Sequence, residues 1–205
     1  MPSPTTTTPP ADTGFDPVVF WFQHKNKILL FTGLFVVALA VYGVSELLHQ
    51  KRAAAAQKLY ASAHSAEDYR KVIAEYGGTA PAGDALLMLA EKQRSEGKFD
   101  ESSATLHTFI DKYPEHPLLS GAWTSLAATL EAQGKVDEAL STYQKVSTAY
   151  ANSFSAPLAL LAQARILQQK GKLEDARRTY EQVMTQYQDN YAAQQASMEL
   201  RKLKK

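Results

Sequence analysis

Cysteine is missing from all 205 residues. Its absence excludes disulfides, thiolate metal sites, a cysteine nucleophile and a lipid-modified N-terminal cysteine. It fits an oxidising compartment without establishing one. An excess of either charge is missing too: 22 Lys and Arg face 21 Asp and Glu. That balance speaks against a nucleic-acid binder, which carries a basic excess or stripe, and against an acidic disordered chain. No Gly-rich phosphate loop or Gly-x-Ser-x-Gly elbow is present, and Gly77-Gly78 is a lone pair at a predicted helix end. The five histidines, His24, His49, His64, His107 and His116, contain no His-x-x-x-His pair. His107 and Asp111 stand four apart and read as a solvated helix pair. No catalytic residue, cofactor or metal ligand is assigned. What remains is an apolar fraction of 45%, enough for a packed core.

The apolar residues are unevenly spread. Residues 1–14, MPSPTTTTPPADTG, hold four prolines and five threonines and read as a disordered tail. Residues 15–27 form an interfacial segment. Asp16-Pro17 reads as a helix start, and Phe20, Trp21 and Phe22 as an anchor at headgroup level. Ile28 to Val44 is a run of 17 residues without a charge, extended to 21 by Leu47 and Leu48 and interrupted only by Ser45 and Glu46. As a helix, 28–48 spans about 30 Å, the thickness of a bilayer core. A buried core helix and a signal peptide cleaved near Ala38-Leu39-Ala40 are rival readings. The length of the preceding tail, and the continuation of the run past Ala40, favour a retained transmembrane helix. Lys25 and Lys27 on one side balance Lys51, Arg52 and Lys58 on the other, so charge leaves the orientation open. Residues 49–63, rich in alanine and free of Gly and Pro, read as a juxtamembrane helix.

Residues 64–205 repeat with a period of 37. Glu96, Gln133 and Lys170 begin the related segments EGKFDES, QGKVDEA and KGKLEDA. In the same step stand Gly97, Gly134 and Gly171; Tyr76, Tyr113, Tyr150 and Tyr187; Ala90, Ala127 and Ala164; and Val72, Phe109, Val146 and Val183. Each unit reads as two amphipathic helices. Trp123, Leu126, Ala127 and Leu130 follow one helical face. Gly134 ends that helix in a left-handed C-cap. Asp137 and Glu138 open the next at its positive end. The carboxylate pairs Asp100-Glu101, Asp137-Glu138 and Glu174-Asp175 recur at the repeat step, so capping explains them better than acid–base chemistry. Ser65 to Asp68 is a capping box, so SAEDYRKVIAEY reads as a lone second helix. Tyr191 to Leu203 reads as a lone first helix with a solvated RKLKK end. Three whole units thus lie between two half-units.

This pattern resembles the tetratricopeptide repeat. The matching positions are the large apolar residue (Leu86, Trp123, Leu160), the following Leu-Ala (Leu89-Ala90, Leu126-Ala127), the Gly, the second-helix Ala (Ala139, Ala176) and the aromatic after it. Gln163 departs from the expected Leu, Ser102 from the expected Ala, and only Pro114 marks a repeat end. The resemblance implies an all-α solenoid whose concave face is lined by the first helices. Aligning the units puts Leu87, Glu91 and Arg94, then Thr124, Ala128 and Glu131, then Leu161, Arg165 and Gln168 on that face. It lacks the basic clamp some such domains use for a C-terminal carboxylate: Leu87, Glu91, Ser125, Leu158 and Ala162 stand there. FIDKYPEHP, Phe109 to Pro117, resembles the repeats of the Tol-Pal coordinator and the outer-membrane assembly lipoproteins.

Joined, the aromatic and apolar N-terminal stretch, the Ala-rich helix with Tyr60 and the repeats resemble the YfgM-like family, ancillary subunits of the bacterial SecYEG translocon. That resemblance implies a single-pass inner-membrane protein, N-terminus cytoplasmic and repeats periplasmic. The partners it implies are the bilayer and proteins: SecYEG, periplasmic chaperones or newly exported chains. A structural component of a pilus, secretion or outer-membrane assembly machine is the alternative.

Overall fold

Helix follows helix through residues 17–203, the part that the computed structural model describes, with no strand among them. The expected tail, with Phe15 and Asp16, lies outside the described residues. The helices are α1 (Pro17–Ala61), α2 (Ala66–Tyr76), α3 (Ala80–Ser95), α4 (Phe99–Lys112), α5 (Leu119–Ala132), α6 (Val136–Ala149), α7 (Ala156–Gln169), α8 (Leu173–Gln186) and α9 (Tyr191–Leu203). The chain divides into two units, Met1–Gln50 and Lys51–Lys205.

In the first unit, α1 begins at Pro17, whose fixed φ and missing N–H suit a first helical position. Phe20, Trp21 and Phe22 are exposed. Lys25 Nζ lies 5.2 Å from the Phe22 ring centre, and the His24 ring stacks on Phe20. Every residue from 29 to 50 is exposed, on all sides of the helix. The helix is long and apolar enough to cross a membrane.

The second unit is a stack of helix pairs. α3 packs on α4, α5 on α6 and α7 on α8, each pair on the next, with α2 at one end and α9 at the other. This is the expected all-α solenoid of tetratricopeptide type. Its local punctuation is repetitive. At the end of each first helix a glycine takes a positive φ: Gly97 at 75°, Gly134 at 77° and Gly171 at 73°. The N–H of Gly134 donates to Glu131 O and that of Lys135 to Leu130 O, and the same two bonds recur at Gly97 and Gly171. This paired closure satisfies carbonyls that the helix end leaves unpartnered. It also makes Lys98, Lys135 and Lys172 the first residue of the following helix's cap. The capping box at α2 is present in full: Asp68 N donates to Ser65 Oγ, and Ser65 N to Asp68 Oδ2 at 3.0 Å.

The core runs through the stack. Leu106, Phe109, Leu126, Tyr143, Val146 and Ile166 are buried in one cluster, where Ala127 and Ala139 are fully enclosed. Tyr180, Val183, Ala192 and Ala196 continue it toward α9. At the other end Ala56, in the last turns of α1, is completely buried. Leu59 and Tyr60 pack with Tyr69 and Val72 of α2. The two departures from the repeat pattern are both satisfied. Ser102 is fully buried and its Oγ donates to Ala90 O at 2.8 Å. Buried Gln163 donates to Ser147 Oγ at 2.8 Å. A polar group can occupy a core position at little cost when its hydrogen bonds are made.

Candidate protein-binding face

The nine residues expected on the binding face occupy three register positions, and packing gives them different fates. Leu87, Thr124 and Leu161 share the first. Leu161 is buried, Leu87 half-buried against the core, and the Thr124 hydroxyl donates to Ser120 O within its own helix at 2.9 Å. Glu91, Ala128 and Arg165 share the second; Arg94, Glu131 and Gln168 the third. Here the polar groups pair with one another. Arg94 grips Glu91 through two nitrogens at 2.7 and 3.0 Å, one turn away on α3. Arg165 crosses from α7 to α5, placing Nη2 2.9 and 3.0 Å from the Glu131 carboxylate oxygens. Gln168 accepts from the Tyr180 hydroxyl at 3.1 Å, and Glu131 from the Tyr143 hydroxyl at 3.4 Å. These ion pairs are partly exposed, so each adds less than about 1 kcal/mol of stability. Their effect is to fix orientations and leave little unpaired charge on the face.

Arg94, Ala128, Glu131 and Arg165 line one shallow groove together with Tyr143. Burial pushes the Tyr143 hydroxyl up to about 12, and the nearby Glu131 charge adds to the shift. A second depression of about 290 Å³ lies between α7 and α9. Its apolar walls are Leu158, Leu161 and Ala162; its polar ones are Arg165, Tyr180, Gln195 and Glu199. Burial also raises the Tyr180 hydroxyl, and Glu199 reinforces the shift. Leu87, Glu91, Thr124 and Gln168 line neither depression.

Tyr180, Gln195 and Glu199 are absent from the expected set. The repeat register contained the signal: Gln195 stands 37 residues after Leu158, Glu199 after Ala162 and Tyr180 after Tyr143. A last helix read only as a cover hides that its outer face continues the lining.

Other singled-out residues serve packing. The Tyr113 hydroxyl accepts from Gly78 N at 3.0 Å and the Tyr187 hydroxyl donates to Ala151 O at 2.8 Å, each bonding to the loop one unit earlier. His107 and Asp111 are both exposed. His116 pairs instead with Asp84, Nε2 to Oδ1 3.6 Å, and accepts from Leu118 N at Nδ1. With Phe109 and Tyr113 it surrounds Gly83, where a Cβ would approach all three rings at 3.3 Å. The FIDKYPEHP segment is thereby accounted for as an inter-helix joint.

A family model described as a tetratricopeptide repeat-like domain matches residues 19–205, the apolar helix together with the repeats. A comparison with curated proteins finds no match. Among solved structures, the TPR-like repeats described as a kinesin light chain of Podosopora anserina are 18% identical, with a TM-score of 0.56, covering 75% of this chain and 84% of that one. A variant of those repeats is 21% identical, with a TM-score of 0.50 over 59% of this chain; the match spans 64% of its length, just under two thirds. A tetratricopeptide repeat protein of Parabacteroides merdae is 14% identical, with a TM-score of 0.55, covering 76% of this chain and 60% of that one. At these identities the structures speak for the fold alone.

Proposed function

The chain belongs to the tetratricopeptide repeat-like domain family, and from that premise we propose that it is a non-catalytic, membrane-anchored protein-binding scaffold. Its repeats stand in the bacterial periplasm and assist protein translocation or export-linked chaperoning. The observation that carries the reading is the first helix. Residues 29–50 are exposed around the whole circumference. Water does not tolerate so long an uncovered apolar surface, and a lipid bilayer covers it. The family model starts at residue 19, so this helix and the repeats are matched as one unit of sequence. The resemblance to the YfgM-like family supplies the orientation and the partner class: SecYEG, periplasmic chaperones or exported chains. The nine face residues, Leu87 to Gln168, are the proposed protein contacts.

The mechanism is tethering. A scaffold held at the membrane raises the local concentration of its partners there without chemistry of its own.

Sidedness is tested by protease added to intact spheroplasts. Digestion of the repeats is expected, and their protection would overturn the periplasmic reading. Crosslinking in native membranes tests the partner class, with translocon subunits, chaperones or nascent exported chains expected. Stoichiometric copurification with a large envelope assembly, and none with SecYEG, would favour the structural alternative.

A further inference from the structure

The depression between α7 and α9 differs from the corresponding surface of α5. At the equivalent positions α5 carries Gly121, Thr124 and Ser125, small or polar, whereas α7 carries Leu158, Leu161 and Ala162. Leu158 is 45% exposed. An exposed leucine and an apolar floor therefore adjoin in this recess. Isolated exposed apolar residues are ordinary, but a contiguous set beside a recess marks a contact site.

The recess is too small for most cofactors. Its volume of about 290 Å³ falls at the bottom of the range of small-molecule pockets. One large side chain fits that scale. The charges on its rim are already engaged: Arg165 with Glu131 at 2.9 Å, Glu199 with Lys202 at 2.6 Å. A charged guest therefore gains less from these groups than it would from unpartnered ones, and a neutral guest leaves both pairs intact. Gln195, an amide with both donor and acceptor, lies on the same rim and can bond a guest's main chain.

Resting on the protein-binding reading, we infer that this recess, with its apolar wall of Leu158, Leu161 and Ala162, seats a single large apolar or aromatic side chain from an extended, uncharged stretch of a partner polypeptide. Such stretches are buried in folded proteins and open to solvent in chains that have not folded. The site therefore selects for the unfolded condition of its partner and not for a terminal carboxylate or a charged motif.

The test uses the full chain in detergent micelles. Its probe is a short labelled peptide of Gly, Ser, Asn and Gln with one central Phe, read by fluorescence anisotropy against the same peptide with Ser in place of Phe. The Phe peptide is expected to bind at least about tenfold more tightly, the scale of burying one aromatic side chain. Leu158→Glu is expected to abolish that preference and Leu158→Met to retain it. Leu173→Glu, exposed on another part of the stack, is expected to leave it unchanged. Circular dichroism confirms that each variant folds. Equal binding of the two peptides overturns the inference, as does an unchanged preference in a folded Leu158→Glu protein. So does loss of self-association, in place of peptide binding, on that substitution, because the seat would then belong to a second copy. If the preference is absent while partners still crosslink in native membranes, the inference alone falls. If crosslinking is lost as well, the scaffold reading falls with it.

Discussion

Gln163 and Ser147 show how one residue's meaning depends on its neighbour. Leucine is the usual occupant of the Gln163 position, and the amide survives there because Ser147 accepts from it. Ser147 also donates to Gln144 O at 3.0 Å, so it keeps a partner if the glutamine is lost. The two substitutions are therefore unequal. Gln163→Leu is expected to be neutral or mildly stabilising. Ser147→Ala strands a buried amide and is expected to cost about 1–3 kcal/mol. Urea melts of the two variants, read by circular dichroism, check the asymmetry. Equal losses would mean that the bond contributes nothing special.

Tyr143 gives a pH signature at the same scale. Its hydroxyl titrates at about 12 in the folded protein against 10.0 in the open chain. A raised value means that the folded state holds the proton more tightly. The contribution is therefore complete below pH 10 and is lost as the pH rises toward 12. Two units correspond to roughly 2–3 kcal/mol. Tyr143→Phe is expected to flatten the fall in stability across that window, measured as the urea midpoint at stepped pH. An unchanged slope would exclude Tyr143 as its source.

Among elements, the first-to-second helix turns carry the most legible signal. One glycine every 37 residues, followed by Lys and then a pair of acids, is enough to place a left-handed closure and a new helix start. The reason is local: both events depend on residues within one turn of each other. Gly134→Ala puts a Cβ into a positive φ of 77° and is expected to cost about 1–2 kcal/mol. Gly134→Asn should cost less, because Asn tolerates that region better. Equal urea midpoints for wild type, Ala and Asn would contradict the closure. The capping box of α2 was equally local. Its Asp68 carboxyl lies below the usual carboxylate range, first through the Ser65 hydroxyl and then through the backbone N–H groups of His64 and Ser65. Its contribution is present above the ordinary carboxylate range and is lost as the pH falls through the lower folded value.

The proposed face was less legible. The bond between Glu131 and Arg165 joins residues 34 apart on different helices. His116 and Asp84 are separated by 32 positions, and nothing near either one announces the other. Tyr180, Gln195 and Glu199 complete the α7–α9 recess from helices on two sides.

At the scale of the molecule, helical stacks are nearly one-dimensional, so damage at one end stays near that end. The last turns of α1 supply Leu59 and Tyr60 to the packing of α2, and Ala56 beside them is fully buried. A chain beginning at Lys51 is expected to keep α2 and α3 protected from amide hydrogen exchange. One beginning at Ser62 should lose protection in α2 first, while α7 and α8 remain protected. Uniform loss across all helices would show that the stack melts as one block.

The sequence by itself determined the helical class, the 37-residue step and the apolar helix, because each is written in residues close together along the chain. Periodicity, glycine spacing and uninterrupted apolarity need no knowledge of what lies opposite. The tertiary structure alone decided which charges neutralise one another and where the face opens into a recess. Those outcomes depend on side chains from separate units arriving at one place, and their geometry comes into being only when the helices stack.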